Sequence, residues 1–197
     1  MAFVAFLDAC VLYPATLRDV LLSIAESGVC QIRWSPDVLE ELERNLARRA
    51  NAPSESVAAH GARYTVTLMQ EAFPEGMVER EAYQNLIDAM TNDPGDRHVL
   101  AAAVAGRADV LVTFNTRDFP HASCVLYGVD VQDPDTFLVH QFGLIPDRIM
   151  DVLRSLSEER KPPMDTPEGI LRALSKVTPR FCALALEHLS RRATAND

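Results

Sequence analysis

The chain of 197 residues is long enough to bury a sizeable core in one domain, or in one domain with an appendage. Its 48% hydrophobic and 24% charged residues are typical of a soluble globular protein, and no apolar run approaches the roughly 20 residues that a membrane span needs. The net charge of −9 argues against a protein that grips nucleic acid through general positive charge, but it leaves room for a nuclease whose acids hold cations.

The chain start and the cysteines favour a reducing cytoplasm. The apolar run from Ala2 to Leu7 meets Asp8 after only six residues and has no basic flank, which is unlike a signal peptide. The four cysteines are far apart and form no Cys-x-x-Cys pair, so they indicate neither a zinc knuckle nor a disulfide framework.

The first half of the chain predicts alternating strands and helices. Residues 3–7 (FVAFL) are continuously apolar, which is typical of a central parallel strand covered on both faces. Ser35 is a typical helix N-cap, because a proline and an acid follow it in the first turn. The other predicted elements are a helix over Leu17–Ser27, a strand over Cys30–Trp34, a helix over residues 54–72 and a short strand over Met77–Glu79.

The run "TNDPGDRHVLAAAVAGRADVLVTFNTRDFP" continues the alternation. Asp96 is expected to cap a helix over Arg97–Arg107, and a buried strand follows at Val110–Thr113. A further strand is predicted between Cys124 and Val131, and a helix over Pro134–Phe142. This order predicts an α/β fold: a parallel sheet with helices on both faces.

The sequence pattern changes beyond Gly143, where helix starts follow one another without predicted strands. Prolines just inside predicted helix starts occur at Pro146, Pro167 and Pro179, and "KPP" at 161–163 interrupts the run. We therefore predict two domains, an α/β domain over residues 1–142 and a small helical appendage over residues 143–197.

Oxygen-bearing side chains recur where the predicted strands end. Asp8 ends the first strand, Asp96 opens the helix before another strand, and Asn115 and Asp118 follow Val110–Thr113. Ligands of open parallel sheets collect outside the carboxyl ends of the strands, so these side chains are expected at one edge.

Each acid also has an ordinary interpretation. Asp96 could be only a helix cap, Asp93 belongs more naturally to an Asp-Pro-Gly turn, and Asp118 could be a turn acid. Asp8 is harder to explain this way, since an uncompensated carboxylate at the end of a buried strand is costly. Glu41 could be a solvated helix residue, and the helical wheel alone cannot choose between Glu41 and Glu43.

Taken together, these pieces resemble a PIN-domain ribonuclease, in particular the VapC-type toxins of bacterial toxin–antitoxin pairs. The resemblance covers roughly residues 3–142, and the tail resembles a C-terminal helical extension of longer members. It rests on "FLDACVL" with Asp8, "SPDVLEEL" with Glu41, "DPGDRHVLAAAV" with Asp96, and "VLVTFNTRDFP" with Asn115 and Asp118.

The resemblance implies a PIN-like, Rossmann-like sheet and an acidic catalytic quartet. The quartet is Asp8, Glu41, Asp96 and Asp118, with Thr113 and Asn115 as polar support. Asp8, Asp96 and Asp118 are the expected metal ligands, directly or through water; Asn115 stands where many members have an acid, so Asp118 would supply that carboxylate. Oxygen ligands favour Mg²⁺ or Mn²⁺ over zinc.

The activity implied is a metal-dependent endoribonuclease acting on RNA in the cytoplasm. The family also implies a small antitoxin whose tail enters the acidic groove, and a helical self-association face that forms a homodimer. Arg18, Arg97 and Arg117 are candidate phosphate contacts, although solvated surface or internal pairing is the commoner role.

Two rival interpretations come from other classes. A haloacid-dehalogenase-like phosphotransferase also has an Asp after its first strand. That family usually has a second Asp two positions later, where this chain has Cys10. A catalytically silent PIN-fold binding module is the other alternative.

Overall fold

The computed structural model of the protein describes residues 3–195, so Ala2 and the last residues of the predicted appendage lie outside the described residues. The chain divides into two compact units. The first comprises the residues up to Pro14 and Cys30–Val131, and the second comprises Ala15–Val29 and the residues from Gln132 onward. No helix within residues 3–195 combines the length and the apolar character that crossing a bilayer requires.

A four-stranded sheet organises the fold. Its strands are β1 (Val4–Leu7), β2 (Gln31–Arg33), β3 (Val110–Val112) and β4 (Asp130–Gln132), in the order β2-β1-β3-β4. β1 pairs in parallel with β2 and with β3, and the register aligns Ala5 with Val110 and Leu7 with Val112. Since Ala5, Phe6 and Leu7 are fully buried, the prediction of a central parallel strand is confirmed.

Helices make up most of the first unit outside the sheet and form the second unit. In chain order they are α1 (Ala9–Leu12), α2 (Ala15–Glu26), α3 (Pro36–Arg49), α4 (Glu55–Ala72), α5 (Arg80–Tyr83), α6 (Arg97–Ala105), α7 (His121–Cys124), α8 (Pro134–Leu144), α9 (Pro146–Glu158), α10 (Pro167–Leu174) and α11 (Pro179–Ala195). Short 3-10 turns cover Pro74–Gly76, Gln84–Ala89, Pro94–Asp96, Thr116–Asp118 and Val125–Tyr127.

Local capping chemistry begins α3 as the sequence predicts. The Ser35 hydroxyl accepts a hydrogen bond of 3.3 Å from the amide of Val38, and Pro36 occupies the first helical position. The opposite end carries Arg48 and Arg49, which complement the negative pole of the helix.

Two local predictions are wrong. Met77–Glu79 is not a strand; Met77 forms only an isolated parallel bridge to Trp34, because the turn at Pro74–Gly76 and the start of α5 at Arg80 leave no room for a ladder. Asp96 precedes α6 but its side chain makes no capping hydrogen bond, and α6 ends at Ala105 rather than at Arg107.

The second unit consists of α2 and the helices from α8 onward. The predicted helix starts at Pro146, Pro167 and Pro179 are confirmed. These compact units are not sequence domains, since the second combines Ala15–Val29 with the residues from Gln132 onward. The domain boundary predicted at residue 142 therefore stays a prediction.

Candidate functional site

The carboxyl ends of β1 and β3 bring Asp8 and Thr113 together. The Asp8 amide donates a 3.1 Å hydrogen bond to the carbonyl of Val112, which continues the ladder beyond β1. The Thr113 hydroxyl donates to Asp8 Oδ2 at 2.6 Å, and both side chains are buried. The hydrogen bond compensates part of the cost of burying this carboxylate.

Cys10 is a second donor to Asp8. Its thiol donates to the same oxygen, Oδ2, at 3.1 Å, and its sulfur accepts the amide of Phe114 at 3.2 Å. Burial, followed by the Asp8 charge, raises the pKa of the Cys10 thiol to about 12, so the thiol keeps its proton. Among residues 3–195 no hydrogen bond reaches Asp8 Oδ1, which leaves that oxygen for a ligand.

Backbone hydrogen bonds connect the two loops that carry the other acids. The Asn115 amide donates to the Thr113 hydroxyl at 3.0 Å, and the Asp118 amide donates to the Asn115 carbonyl at 2.9 Å. The Asp118 carbonyl in turn accepts the Asp93 amide at 3.0 Å, and the Asp93 carbonyl accepts the Asp96 amide at 3.0 Å. This series of bonds fixes the 93–96 segment against the 115–118 segment.

Asp96 lies in the electrostatic field of the other acids. Burial, then the charges of Asp8 and Asp118, raise the pKa of Asp96 to about 6, and His98 opposes the shift. The charges of Asp8 and Asp118 thus both disfavour the ionised form of Asp96, so these three acids are electrostatically coupled. Since the Asp96 side chain caps no helix, its oxygens are not occupied by α6.

Asp93 serves mainly in the turn between these acids. Its Oδ1 accepts the amide of Gly95 at 2.9 Å, and its side chain is exposed. It also contributes a smaller share to the raised pKa of Asp96. The turn role that the Asp-Pro-Gly sequence indicates is therefore present.

The two glutamates that the helical wheel could not separate have different surroundings. Glu41 lines a cavity together with Cys10, and the Asn45 amide group donates to Glu41 Oε1 at 3.4 Å. Glu43 instead forms an ion pair of 3.3 Å with Arg63 on α4. Glu41 therefore faces the Asp8 side of α3, whereas Glu43 joins α3 to α4.

The cavity beside Asp8 has a volume of about 430 Å³. Besides Cys10 and Glu41 it is lined by Tyr13, Asn45, Arg48 and Arg49. The Arg49 guanidinium lies over the Tyr13 ring, 5.3 Å from the ring centroid. An acidic edge and a basic, aromatic surface thus adjoin one another within the first unit.

The donor chemistry at this edge suits a hard divalent cation. Within residues 3–195 there is no group of three or more Asp, Glu, His or Cys side chains arranged to hold a metal ion. Mg²⁺ usually keeps several waters and takes only one or two carboxylates, so a complete protein cage is not required. The free oxygen of Asp8 and the raised pKa of Asp96 are features that a cation would complement.

The predicted arginine contacts have mixed outcomes. Arg97 lies near the acids and donates to the carbonyl of Asn92 at 3.5 Å, and Arg117 is exposed beside Asp118. Arg18 belongs to the second unit, where it forms a 3.9 Å ion pair with its neighbour Asp19. For Arg18 the ordinary interpretation of internal pairing is therefore correct.

Sequence reasoning missed Cys10 and the cavity residues of α3. The sequence pattern assigns Cys10 no role of its own, because the hydrogen bond from its thiol to Asp8 depends on contacts made only in the folded chain. The α3 residues could have been found from their spacing. Asn45, Arg48 and Arg49 follow Glu41 at positions i+4, i+7 and i+8, which lie on the same helix face.

Comparison with known proteins identifies two matching families. The family model described as the PIN domain matches residues 4–117, and the model described as the VapC50 C-terminal domain matches residues 134–187. A protein of Mycobacterium tuberculosis strain H37Rv, named "Putative ribonuclease VapC50", is 39% identical over 114 residues, which are 57% of this chain and 68% of that relative. No solved structure matches the chain.

Proposed function

Because this chain belongs to the PIN domain family, we propose that it is a divalent-metal-dependent endoribonuclease and the toxin of a toxin–antitoxin pair. The name of the similar mycobacterial protein, "Putative ribonuclease VapC50", supports RNA as the substrate. The observation that carries the proposal is the electrostatic coupling of Asp96 to Asp8 and Asp118, together with the buried Asp8 carboxylate at the end of β1.

The proposed ligands of Mg²⁺ or Mn²⁺ are Asp8, Asp96 and Asp118, directly or through water. Thr113 and Cys10 both donate to Asp8 Oδ2, so Oδ1 is the oxygen that remains for the cation. The protonated thiol of Cys10 acts as a donor, which keeps the ligand set to oxygen and favours a hard cation over zinc. The backbone amide of Asn115 supports the site, because it donates a hydrogen bond to the Thr113 hydroxyl.

Asp8, Asp96 and Asp118 would hold the Mg²⁺ or Mn²⁺, and the bound ion would lower the pKa of a coordinated water and would neutralise charge on the phosphate. The chain's own contribution is positioning. Thr113 orients Asp8, and Glu41, which accepts a hydrogen bond from Asn45, would accept a proton from the attacking water or orient it. With Asp8, Asp96 and Asp118, Glu41 completes the proposed acidic quartet.

The family membership also supports proposals about partners. We expect RNA as the substrate, a small antitoxin as the inhibitor, and a homodimer of this chain in the cytoplasm. A toxin must be silenced in the cell that makes it, so the antitoxin is the partner most closely tied to the proposed activity.

The test is cleavage of total RNA by purified protein in the presence of Mg²⁺ or Mn²⁺. We expect Asp8→Asn and Asp96→Asn to abolish cleavage, and chelation of divalent ions to do the same. Asp88→Asn is a matched control, because Asp88 is an exposed acid of the same unit with no described role. Undiminished cleavage by either site variant would overturn the proposed site.

Metal binding separates this proposal from a silent binding module. Calorimetric titration with Mn²⁺ should give a signal with the wild-type chain and the Asp88→Asn control, and a much weaker one with Asp8→Asn. A module without a metal site would bind Mn²⁺ equally before and after the Asp8 substitution.

A further inference from the structure

One face of α3 extends the candidate site away from the acids. Glu41, Asn45, Arg48 and Arg49 share this face because a helix turns about 100° per residue, and all four line the 430 Å³ cavity. Cys10, which donates to Asp8 at 3.1 Å, forms the wall between the cavity and the carboxylates. The cavity therefore adjoins the proposed catalytic edge.

Arg48 and Arg49 carry unneutralised positive charge at this cavity. Both side chains are exposed, and neither forms an ion pair with an acid in the part of the chain that the structure describes. Several other arginines of the chain are paired, for example Arg63 with Glu43 and Arg80 with Asp37. In a protein of net charge −9, two free guanidiniums beside an acidic edge indicate an anionic ligand.

Tyr13 and Arg49 stack on one another in the same cavity. The Arg49 guanidinium lies 5.3 Å from the centroid of the Tyr13 ring, and the Tyr13 side chain is only half-buried. Unpaired nucleic acid bases stack on aromatic rings and on guanidinium planes. The cavity therefore suits an unpaired nucleic acid base as well as a negatively charged group.

The separation of Arg48 from Glu41 along α3 bears on which nucleotide the cavity can bind. A helix rises about 1.5 Å per residue, so Arg48 lies about 10 Å along the axis from Glu41. The Arg48 side chain therefore starts well away from Glu41, which suits the phosphate of a neighbouring nucleotide of the same strand.

We infer that this cavity is a subsite for an unpaired nucleotide next to the cleaved bond. The base stacks on the Tyr13–Arg49 pair, and Arg48 holds the adjoining phosphate. The inference rests on the proposed ribonuclease function and adds to it which residues hold the flanking RNA. It also explains how an acidic protein retains its substrate, because the phosphate contacts are concentrated at one place beside the carboxylates.

An acidic peptide is the other class of ligand that two arginines could attract. A peptide carboxylate would use the guanidiniums but would gain nothing from stacking on the Tyr13–Arg49 pair. The Tyr13–Arg49 arrangement therefore favours the nucleotide, and the peptide becomes an outcome of the test.

The test measures RNA binding in the Asp8→Asn background, where cleavage does not interfere. A labelled single-stranded RNA oligonucleotide is titrated with protein and followed by fluorescence anisotropy. The double variant Arg48→Gln/Arg49→Gln should reduce the dependence of log affinity on log salt by about 0.7, since Arg48 makes the one proposed phosphate contact and each single-strand contact contributes about 0.7. Tyr13→Leu should weaken binding about tenfold, whereas Tyr13→Phe should retain it because the ring is kept.

Two control variants test whether the effects are specific to the cavity. Arg44→Gln removes an exposed arginine of the same helix that does not line the cavity, and Tyr64→Leu removes an exposed tyrosine of α4. Both should bind RNA as the Asp8→Asn parent does. Circular dichroism spectra establish that each variant is folded, and Tyr13→Phe retains the half-buried ring if Tyr13→Leu is destabilised.

The outcomes separate this inference from the proposed function. If the wild-type chain cleaves RNA with Mn²⁺ but the double arginine variant binds RNA with unchanged affinity and salt dependence, the subsite is wrong and the ribonuclease function stands. Unchanged RNA binding together with lost binding of a polyglutamate peptide would also overturn it. Absence of RNA cleavage by the wild-type chain would count against the proposed function itself.

Discussion

The Thr113 hydroxyl donates a 2.6 Å hydrogen bond to Asp8 Oδ2, although 105 residues separate the two in the chain. The bond joins the ends of β1 and β3, and it is made between two buried groups. Because Cys10 donates to the same oxygen, the Asp8 carboxylate has one satisfied oxygen and one that faces no donor among residues 3–195. The proposed metal chemistry depends on that asymmetry.

Replacing Thr113 should therefore affect both stability and metal binding. Thr113→Val keeps the shape but removes the donor, and we expect it to lower the free energy of unfolding by about 1–3 kcal/mol, the usual cost of a buried polar group that loses its partner. Thr113→Ser retains the hydroxyl and should remain near wild type. Urea denaturation and calorimetric Mn²⁺ titration of both variants provide the measurement, and equal behaviour of the two would contradict the role of the hydroxyl.

Asp96 should destabilise the metal-free protein at neutral pH. Its pKa is raised in the folded state from 3.8 to about 6, so the folded state holds this proton more tightly than the unfolded state does. Stability from this group is thus present below about pH 4 and is lost as the pH rises through about 6. A shift of about two units corresponds to about 3 kcal/mol, which solvent screening of this half-buried side chain reduces to about 1 kcal/mol.

The variant Asp96→Asn removes this effect. With divalent ions chelated, we expect it to be more stable than the wild type above about pH 7 and equal to it below about pH 4. Adding Mn²⁺ should reverse the order, because only the wild type retains the full ligand set. Urea titrations across this pH range, with and without the ion, provide the measurement; a stability difference independent of pH would show that repulsion is not the cause.

Glu41 and Glu43 should differ sharply in their effect on cleavage. Glu41 lines the cavity beside Cys10, whereas Glu43 pairs with Arg63. We expect Glu41→Gln to lower kcat about a hundredfold, within the usual range for a positioned acid or base. Glu43→Gln should leave kcat unchanged, because an exposed ion pair of this kind contributes little. Equal losses in an RNA cleavage assay would contradict the assignment of Glu41.

Asp135 should be a major determinant of stability in the second unit. Its buried carboxylate accepts the amide of Phe181 at 2.8 Å, and the amide and Nε of Arg180 at 3.2 and 2.9 Å. It thus satisfies the first free amides of α11 from a different helix. We expect Asp135→Ala to lower the free energy of unfolding by about 2–3 kcal/mol.

The control for Asp135 is Asp165→Ala, which removes an exposed acid of the same unit. Urea denaturation followed by the helical circular dichroism signal compares the two. If Asp135→Ala unfolds at the same urea concentration as Asp165→Ala, the hydrogen bonds to α11 contribute no net stability.

The sequence alone determined the features that depend on neighbouring residues. The continuous apolar run of β1 predicts a buried central strand, and Ser35 followed by Pro36 predicts the start of α3. The prolines at 146, 167 and 179 predict the starts of α9, α10 and α11. The position of Asp8 at the end of a strand is likewise readable, because strand alternation and helix capping act over only a few residues.

Only the tertiary structure decided which side chains meet. It placed Glu41 rather than Glu43 beside Cys10, and it made Asp135 the group that holds the start of α11, 45 and 46 residues away. It also gave Cys10 a raised pKa and a hydrogen bond to Asp8. Burial and electrostatic fields arise from groups that are distant in the chain and close in space, so no local pattern encodes them.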